Sequence, residues 1–336
     1  MSESFLQLDV REQSAIYRSL ASDFGQSPIV LEKDVWVCWA LQTLFSIPNH
    51  LPMAFKGGTS LSKVFGAIAR FSEDIDITID FRGLDNSLDP FDPRVSKNRL
   101  KKFSEDLKHV VRDQLQGVIA PFFAQRLAQE FGEQHARLEL SDDGETMRVH
   151  YPSALDTAEA YIGNSVLLEF GGRNVIEPNE DHQVTPDMAS HLTELSFPSA
   201  SVTVLSPERT FWEKATLIHV ECHRPAIRAD AERLSRHWYD LAMLADRDIG
   251  KQAIVNRKLL ADVVRLKSIF YNTAYANYDA CLNRQLRLVP DGNHRHLLGQ
   301  DFAKMIEAGM FIGSPPVFED VLERLHTLQT EINNGR

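Results

Sequence analysis

The stretch 54-AFKGGTSLSKVFGAIARFSEDIDITID-80 decides how this chain is read. Its last seven residues, Asp74–Asp80, alternate strictly, which predicts a strand. Asp74, Asp76 and Thr78 then point to one face, while Ile75, Ile77 and Ile79 point to the other. The two carboxylates stand about 6.6 Å apart along the backbone. Acids held that close repel each other and call for a cation or a cluster of donors. Mg²⁺, or Mn²⁺ in its place, suits such a pair, because it favours a few carboxylates completed by phosphate oxygens. Upstream, Met53–Lys56 reads as a short strand broken by Gly57 and Gly58. Leu61, Val64, Phe65 and Ile68 recur at helical spacing and predict an amphipathic helix over residues 60–69. Glycines let backbone pass close to a ligand, and the free N–H groups of a helix start attract phosphate. Gly57, Gly58, Thr59 and Ser60 are therefore expected to hold the phosphates of a nucleoside triphosphate. Lys63, one turn into the helix, is near enough to reach the same phosphates or, as most helix lysines are, is solvated.

Each half of this pattern has an ordinary alternative. A D-x-D on a strand is more often surface charge or an ion pair, and Gly-Gly more often marks a turn. The ordered combination of strand, GGTS, helix and D-x-D is what points to an NTP site. The patterns G-x-x-x-x-G-K-[ST] and G-x-G-x-x-G are both absent, which excludes a P-loop and a dinucleotide fingerprint.

Outward from this stretch, residues 28–47 read as a helix, 96–135 as helical, and RLEL, SDDGE and MRVHYP as a hairpin. A further strand, Ser165–Phe170, is expected to end at Gly171–Gly172. From Ser206–Pro207, a good helix start, the character becomes helical to the end. A boundary near 205 divides an α/β half from a helical half.

The chain has 336 residues, enough for two domains and a sizeable core. Its 43% hydrophobic and 25% charged residues exclude wholesale disorder. Lys and Arg number 36 against 47 Asp and Glu, a net charge of −11, which excludes a uniformly basic nucleic-acid coat. Across 94–112 the sign reverses locally: Arg94, Lys97, Arg99, Lys101, Lys102, Lys108 and Arg112 face only Glu105 and Asp106. That segment suits phosphate tracking on RNA, or is simply a solvated helix face. Three scattered cysteines give no disulfide framework. The amino terminus lacks a signal-peptide pattern and the apolar run Val35–Leu41 is too short to cross a bilayer. A cytoplasmic protein without membrane contact is expected. His219, Cys222 and His223 could suggest zinc, but a fourth ligand is not evident nearby. The aromatic residues at 36, 39, 211, 212 and 238 fall at helical spacing and read as core.

The sequence resembles the polymerase-β-like nucleotidyltransferases, whose hallmark is G-[GS] followed by D-x-D. More closely, it resembles the AbiEii/AbiGii nucleotidyltransferase toxin family. LEKDVWVCWAL (31–41), FKGGTSLSKVF (55–65), RFSEDIDI (70–77), PERTFWEKATLIH (207–219) and RHWYDLAML (236–244) carry the resemblance. It covers about residues 28–245 and leaves the last ~90 unmatched. It implies an α+β fold: a polymerase-β-like core, residues 1–205, of mixed sheet with flanking helices. A mainly helical half, 206–336, would contribute Lys214 and Asp240 to catalysis. It further implies that Asp74 and Asp76 bind two Mg²⁺ ions, with Glu169 on a neighbouring strand as third ligand or, alternatively, as the partner of an arginine. Lys214 would neutralise the leaving pyrophosphate, or snorkel from the edge of its apolar stripe. Asp240 would orient Lys214 or a base, or pair with an ordinary cation. Lys33 and Asp34 would brace the site from a helix.

The resemblance also implies the activity: NMP transfer from an NTP to an acceptor hydroxyl, with RNA, and the tRNA 3′ end first, as acceptor. The biological setting would be the toxin of a toxin–antitoxin or phage-defence system, with a cognate antitoxin encoded nearby. Two other readings stand beside it. The acceptor could be a small molecule or a protein side chain, or the fold could serve as a non-catalytic nucleotide- or partner-binding module.

Overall fold

Among the described residues, seven short strands pair into one mixed sheet, and helices make up most of the rest. The computed structural model describes residues 2–155, 163–226 and 233–335. The strands are β1 (Glu3–Ser4), β2 (Met53–Lys56), β3 (Ile75–Asp80), β4 (Leu138–Leu140), β5 (Thr146–His150), β6 (Ser165–Asn174), β7 (Asn179–Val184), β8 (Leu195–Ser196) and β9 (Ala200–Leu205). The main sheet runs β4-β5-β6-β3-β2-β9-β7, with β1 and β8 as a separate parallel pair. β2 and β3 are antiparallel, β3 and β6 parallel, and β2 and β9 parallel. The fold is α+β with a mixed sheet and flanking helices.

The chain divides into two compact units. The first comprises Met1–Val64, Phe71–Leu88 and Phe103–Val204; the second comprises Phe65–Arg70, Asp89–Lys102 and Leu205–Arg336. The helices up to residue 131 are α1 (Val10–Phe24), α2 (Pro28–Phe45), α3 (Gly57–Lys63), α4 (Phe81–Leu84), α5 (Lys97–Gln114) and α6 (Ala120–Phe131).

In the first unit, α2 starts at Ser27, whose side chain accepts from the Val30 N–H, with Pro28 at the first helical position. It is apolar nearly all round, the mark of a helix buried on every side. Trp36 stacks on Tyr151 at 4.9 Å, and Trp39 packs edge-on against Phe123 while its Nε1–H donates to Glu130. Each large apolar side chain buried in this way contributes about 1.5–3 kcal/mol.

The second unit is helical: α7 (Pro207–His223), α8 (Arg236–Ala245), α9 (Asp248–Val255), α10 (Arg257–Phe270), α11 (Tyr278–Leu282), α12 (Gly292–Glu307) and α13 (Phe318–Asn334). Ser206 caps α7 by accepting from the Arg209 N–H at 3.1 Å. Trp212 and Trp238 are core residues whose indole N–H groups donate to the carbonyls of Ala253 and Leu288 at 3.0 Å. No described helix is long and apolar enough to cross a membrane.

Two boundaries differ from the sequence reading. The helix expected over 60–69 instead runs Gly57–Lys63. Gly66, at φ +54, turns the chain left-handed, and residues 65–70 take partners in the helical unit rather than continuing the turn. The strand expected to stop at Gly171–Gly172 continues through both to Asn174. A Cβ on Gly172 would fall 2.5 Å from the side chains of Leu84 and Val111, so this glycine lets α4 and α5 pack directly on the strand.

Candidate active site

The alternation of β3 sets its polar face, and the sheet register decides what stands beside it. Lys56 on β2 is the register partner of Asp76, and Asp76 in turn is the partner of Glu169 on β6. Residues paired in register share a face, so a lysine and two carboxylates stand in one row across three strands. Asp74 lies two residues before Asp76, just ahead of the strand, on the same side of the alternation.

The glycines shape the approach to this row. Gly57 has φ +81, and a Cβ there would sit 1.9 Å from Asp76 Oδ2. Only a residue without a side chain lets the start of α3 close onto that carboxylate. Thr59 Oγ1 donates to the Asp74 carbonyl at 2.5 Å and meets Ser72 Oγ at 3.0 Å, tying α3 to the acidic segment. Ser60 Oγ donates to the Gly57 carbonyl at 3.0 Å. Both hydroxyls are thus committed within the protein. What Gly57, Gly58, Thr59 and Ser60 offer a phosphate is backbone N–H at a helix start.

Lys63 differs from the expectation that it meets a phosphate. Its ammonium lies between Asp34, at 2.5 Å, and Asp187, at 2.6 Å. Burial alone would push this ammonium down, but Asp34 above all, with Asp187, outweighs it and holds Lys63 charged above its ordinary value. Lys63 belongs to a bracing system built on three consecutive residues of α2. Glu32 accepts from Ser153 Oγ and the Ala154 N–H, both at 2.6 Å. Lys33 pairs with Glu73 at 2.6 Å and donates to the Gly163 carbonyl at 3.0 Å. Asp34 holds Lys63 and the Asp187 N–H. The helix thereby fixes both the last residue of α3 and the residue before Asp74.

Asp74, Asp76 and Glu169 suit a divalent ion only in part. Among the described residues, no three His, Cys, Asp or Glu side chains gather as a preformed metal cage. Two neighbouring carboxylates, Asp76 and Glu169, with Asp74 two residues before Asp76, fit Mg²⁺, which takes few protein ligands and fills its shell with phosphate oxygens and water.

Lys214 and Asp240 lie in the helical unit, where they meet. Lys214 on α7 places its Nζ 2.9 Å from Asp240 Oδ2 on α8. Arg70 grips the same carboxylate with a fork, Nε to Oδ1 and Nη2 to Oδ2, both at 2.7 Å. Burial would raise the Asp240 carboxyl, but Arg70 and Lys214 hold it well below the usual carboxylate range. Lys214 moves down from its ordinary value, first through burial and then through the Arg70 and Arg236 charges, against the pull of Asp240. His237 Nδ1 lies 3.4 Å from Lys214 Nζ, and burial keeps this imidazole neutral. The sequence reading did not include His237, although its spacing of three from Asp240 on one helix puts both on a shared face. Glu73 and Asp187 were also missed, because their partners are distant in sequence.

The H-x-x-C-H cluster is not arranged as a ligand set. His219 Nδ1 accepts from the Arg287 N–H and its Nε2 faces the Asn277 carbonyl at 3.1 Å, so both ring nitrogens are occupied. The basic segment 94–112 falls largely on α5. Arg94 forks onto Asp92, Lys108 pairs with Glu105, and Lys97, Arg99, Lys101 and Lys102 are exposed, with no ion pair among the described residues.

Residues 39–324 match the family described as nucleotidyl transferase AbiEii toxin, type IV toxin–antitoxin system. Among solved structures, the chain is similar to MenT4, a nucleotidyltransferase toxin from Mycobacterium tuberculosis H37Rv. That similarity has a TM-score of 0.46 and 16% identity, and covers 96% of this chain and 94% of that one. No curated protein matches the chain.

Proposed function

The chain belongs to the AbiEii nucleotidyl transferase toxin family of type IV toxin–antitoxin systems, and on that premise we propose that it transfers a nucleoside monophosphate from an NTP to a hydroxyl of RNA, the 3′ end of tRNA first. Nucleotidyltransferase activity, use of an NTP and an antitoxin partner follow from the family. The metal, the acceptor and the residue roles below are parts of the proposal.

The observation that carries it is the row Lys56, Asp76 and Glu169 beside Gly57, where a Cβ would stand 1.9 Å from the Asp76 carboxylate. In this reading Asp74 and Asp76 hold Mg²⁺ or Mn²⁺, with Glu169 beside them. When bound, the ion supplies charge neutralisation at the triphosphate and lowers the pKa of an attacking hydroxyl. The backbone of Gly57–Ser60 orients the β- and γ-phosphates. The acceptor hydroxyl gives up its proton to water, its oxygen bonds to the α-phosphorus as the bond to the bridging oxygen breaks, and pyrophosphate leaves carrying the displaced electron pair. From the motifs they match, Lys214 neutralises charge on that pyrophosphate and Asp240 orients Lys214 or a base. Chemistry of this kind is positioning and charge compensation without a covalent enzyme intermediate. The exposed cations of α5 suit an RNA backbone on an otherwise acidic protein.

The test is to incubate the protein with each α-labelled NTP, total RNA and bulk protein in the presence of Mg²⁺. Label is expected in RNA of tRNA size, abolished by chelation and by Asp76→Asn. Label in protein or in small molecules would overturn the RNA acceptor. No label with any NTP, while the protein remains folded, would overturn transfer itself.

A further inference from the structure

The Asp240 carboxylate faces two buried cations rather than one. Asp240 is 0% exposed, Arg70 2% and Lys214 7%. Arg70 takes Oδ1 outright through Nε and shares Oδ2 with Lys214, at 2.7 Å and 2.9 Å respectively. One carboxylate is thus shared by two cations in a setting with little water to screen them. The charged and titratable groups acting on Lys214 are Asp240, Arg70, Arg236 and His237. A planar fork fixes a carboxylate in orientation as well as in place, which a single lysine ammonium does not. Arg70 is itself anchored: it forms a β-bridge with Phe311, and the neighbouring Ala69 carbonyl accepts from the Ile312 N–H at 3.0 Å.

We propose that Arg70 is a positioning residue, whose fork orients the Asp240 carboxylate so that Lys214 is held in one place and feels only part of the Asp240 charge. Lys214 then presents a fixed ammonium to an anion. His237 Nδ1, as a neutral acceptor, takes a second Lys214 N–H and narrows the choice of direction further. The part of this proposal that concerns catalysis rests on the nucleotidyltransferase reading; the part that concerns Lys214 titration does not.

The experiment follows the Lys214 ¹⁵Nζ resonance, assigned by its loss in Lys214→Met, from neutral to alkaline pH. It compares the full-length wild type with Arg70→Gln, Arg70→Lys and Asp240→Asn. Removing the Arg70 charge strengthens the hold of Asp240 on the lysine, so Arg70→Gln is expected to raise the Lys214 titration. Asp240→Asn is expected to lower it. Each pKa unit is about a tenfold change in proton affinity. In parallel, Arg70→Gln is expected to lower kcat about 100-fold with little change in the NTP KM, as misplacement of a catalytic group does. Arg70→Lys keeps the charge and loses the fork, so its titration should match wild type while kcat is only partly restored.

A folded Arg70→Gln with wild-type titration and wild-type kcat would overturn the proposal. Should Arg70→Gln not fold, Arg70→Lys decides, and full wild-type kcat there would overturn it. If wild type itself transfers no nucleotide, the titration shifts still stand or fall on their own, which separates this inference from the assigned reaction.

Discussion

Gly57 governs its surroundings by what it lacks. At φ +81, with the Asp76 carboxylate 1.9 Å from where a Cβ would lie, any side chain must displace either the start of α3 or the carboxylate. Gly57→Ala is therefore expected to lower kcat about 100-fold, the scale of an ångström-sized misplacement. The KM for NTP should rise with it, because the same backbone orients the phosphates; steady-state kinetics on the folded variant checks this. Lys63 makes the opposite point. Its sequence position invited a phosphate, but Asp34 and Asp187 already surround it. Lys63→Met would leave Asp34 buried without its counter-charge and is expected to destabilise the protein by about 3–5 kcal/mol in denaturant titration. Adding Asp34→Asn should recover much of that loss, since replacing both partners removes the uncompensated charge. A reading of Lys63 as a phosphate ligand only would instead leave stability unchanged and alter NTP binding.

At the scale of elements, α5 carries the clearest expectation. Lys97, Arg99 and Lys101 are exposed and outside any ion pair among the described residues. Reversing all three to Glu should change folding stability by less than about 0.5 kcal/mol each. RNA affinity should fall, and the slope of log affinity against log salt should flatten by about 0.7 for each phosphate that the variant no longer neutralises. Filter binding across a salt series measures both, and unchanged affinity would remove α5 from the acceptor surface. The elements themselves were well marked in the sequence wherever a local signal existed. Strict alternation marked β3, the Ser206–Pro207 start marked α7, and the SDDGE turn marked the β4–β5 hairpin. The misreadings at α3 and β6 share one cause. Periodicity over 60–69 said helix, but Gly66 and the distant partners of residues 65–70 ended it at Lys63. Gly171–Gly172 said strand end, but close packing by Leu84 and Val111 explains Gly172 without any break. At the site, the acids and glycines were legible because they lie close in one stretch. The register Lys56–Asp76–Glu169, the Glu73 and Asp187 partners and the fork on Asp240 depend on residues far apart along the chain, which no local pattern encodes.

Over the whole molecule, buried polar groups in and beyond the candidate site make folding depend on pH. His219 is fully buried and uses both ring nitrogens in the neutral form, which burial lowers from 6.5 to about 4. His237 is pushed down as well, by burial first and by the Lys214 charge next. Between these lowered values and the ordinary histidine range, the unfolded chain binds protons that the native protein refuses. Unfolded protons in excess mean that stability rises with pH, so it must fall as pH drops from about 6.5 towards 4. Asp240 works in the same direction at lower pH: its carboxyl is held down by Arg70 and Lys214, so its contribution is lost progressively as pH falls from the ordinary carboxylate range towards that depressed value. Two stages of acid loss are therefore expected, histidine first and carboxylate later. Urea titrations at steps of pH should show the first stage as a slope of about two protons, one for each imidazole. His219→Gln should reduce that slope by about one proton while lowering stability at neutral pH, where the two hydrogen bonds of the ring are removed or weakened. A slope unaffected by His219→Gln would mean that this ring titrates normally in the native protein, and that its neutral, doubly bonded state does not contribute to holding the helical unit together.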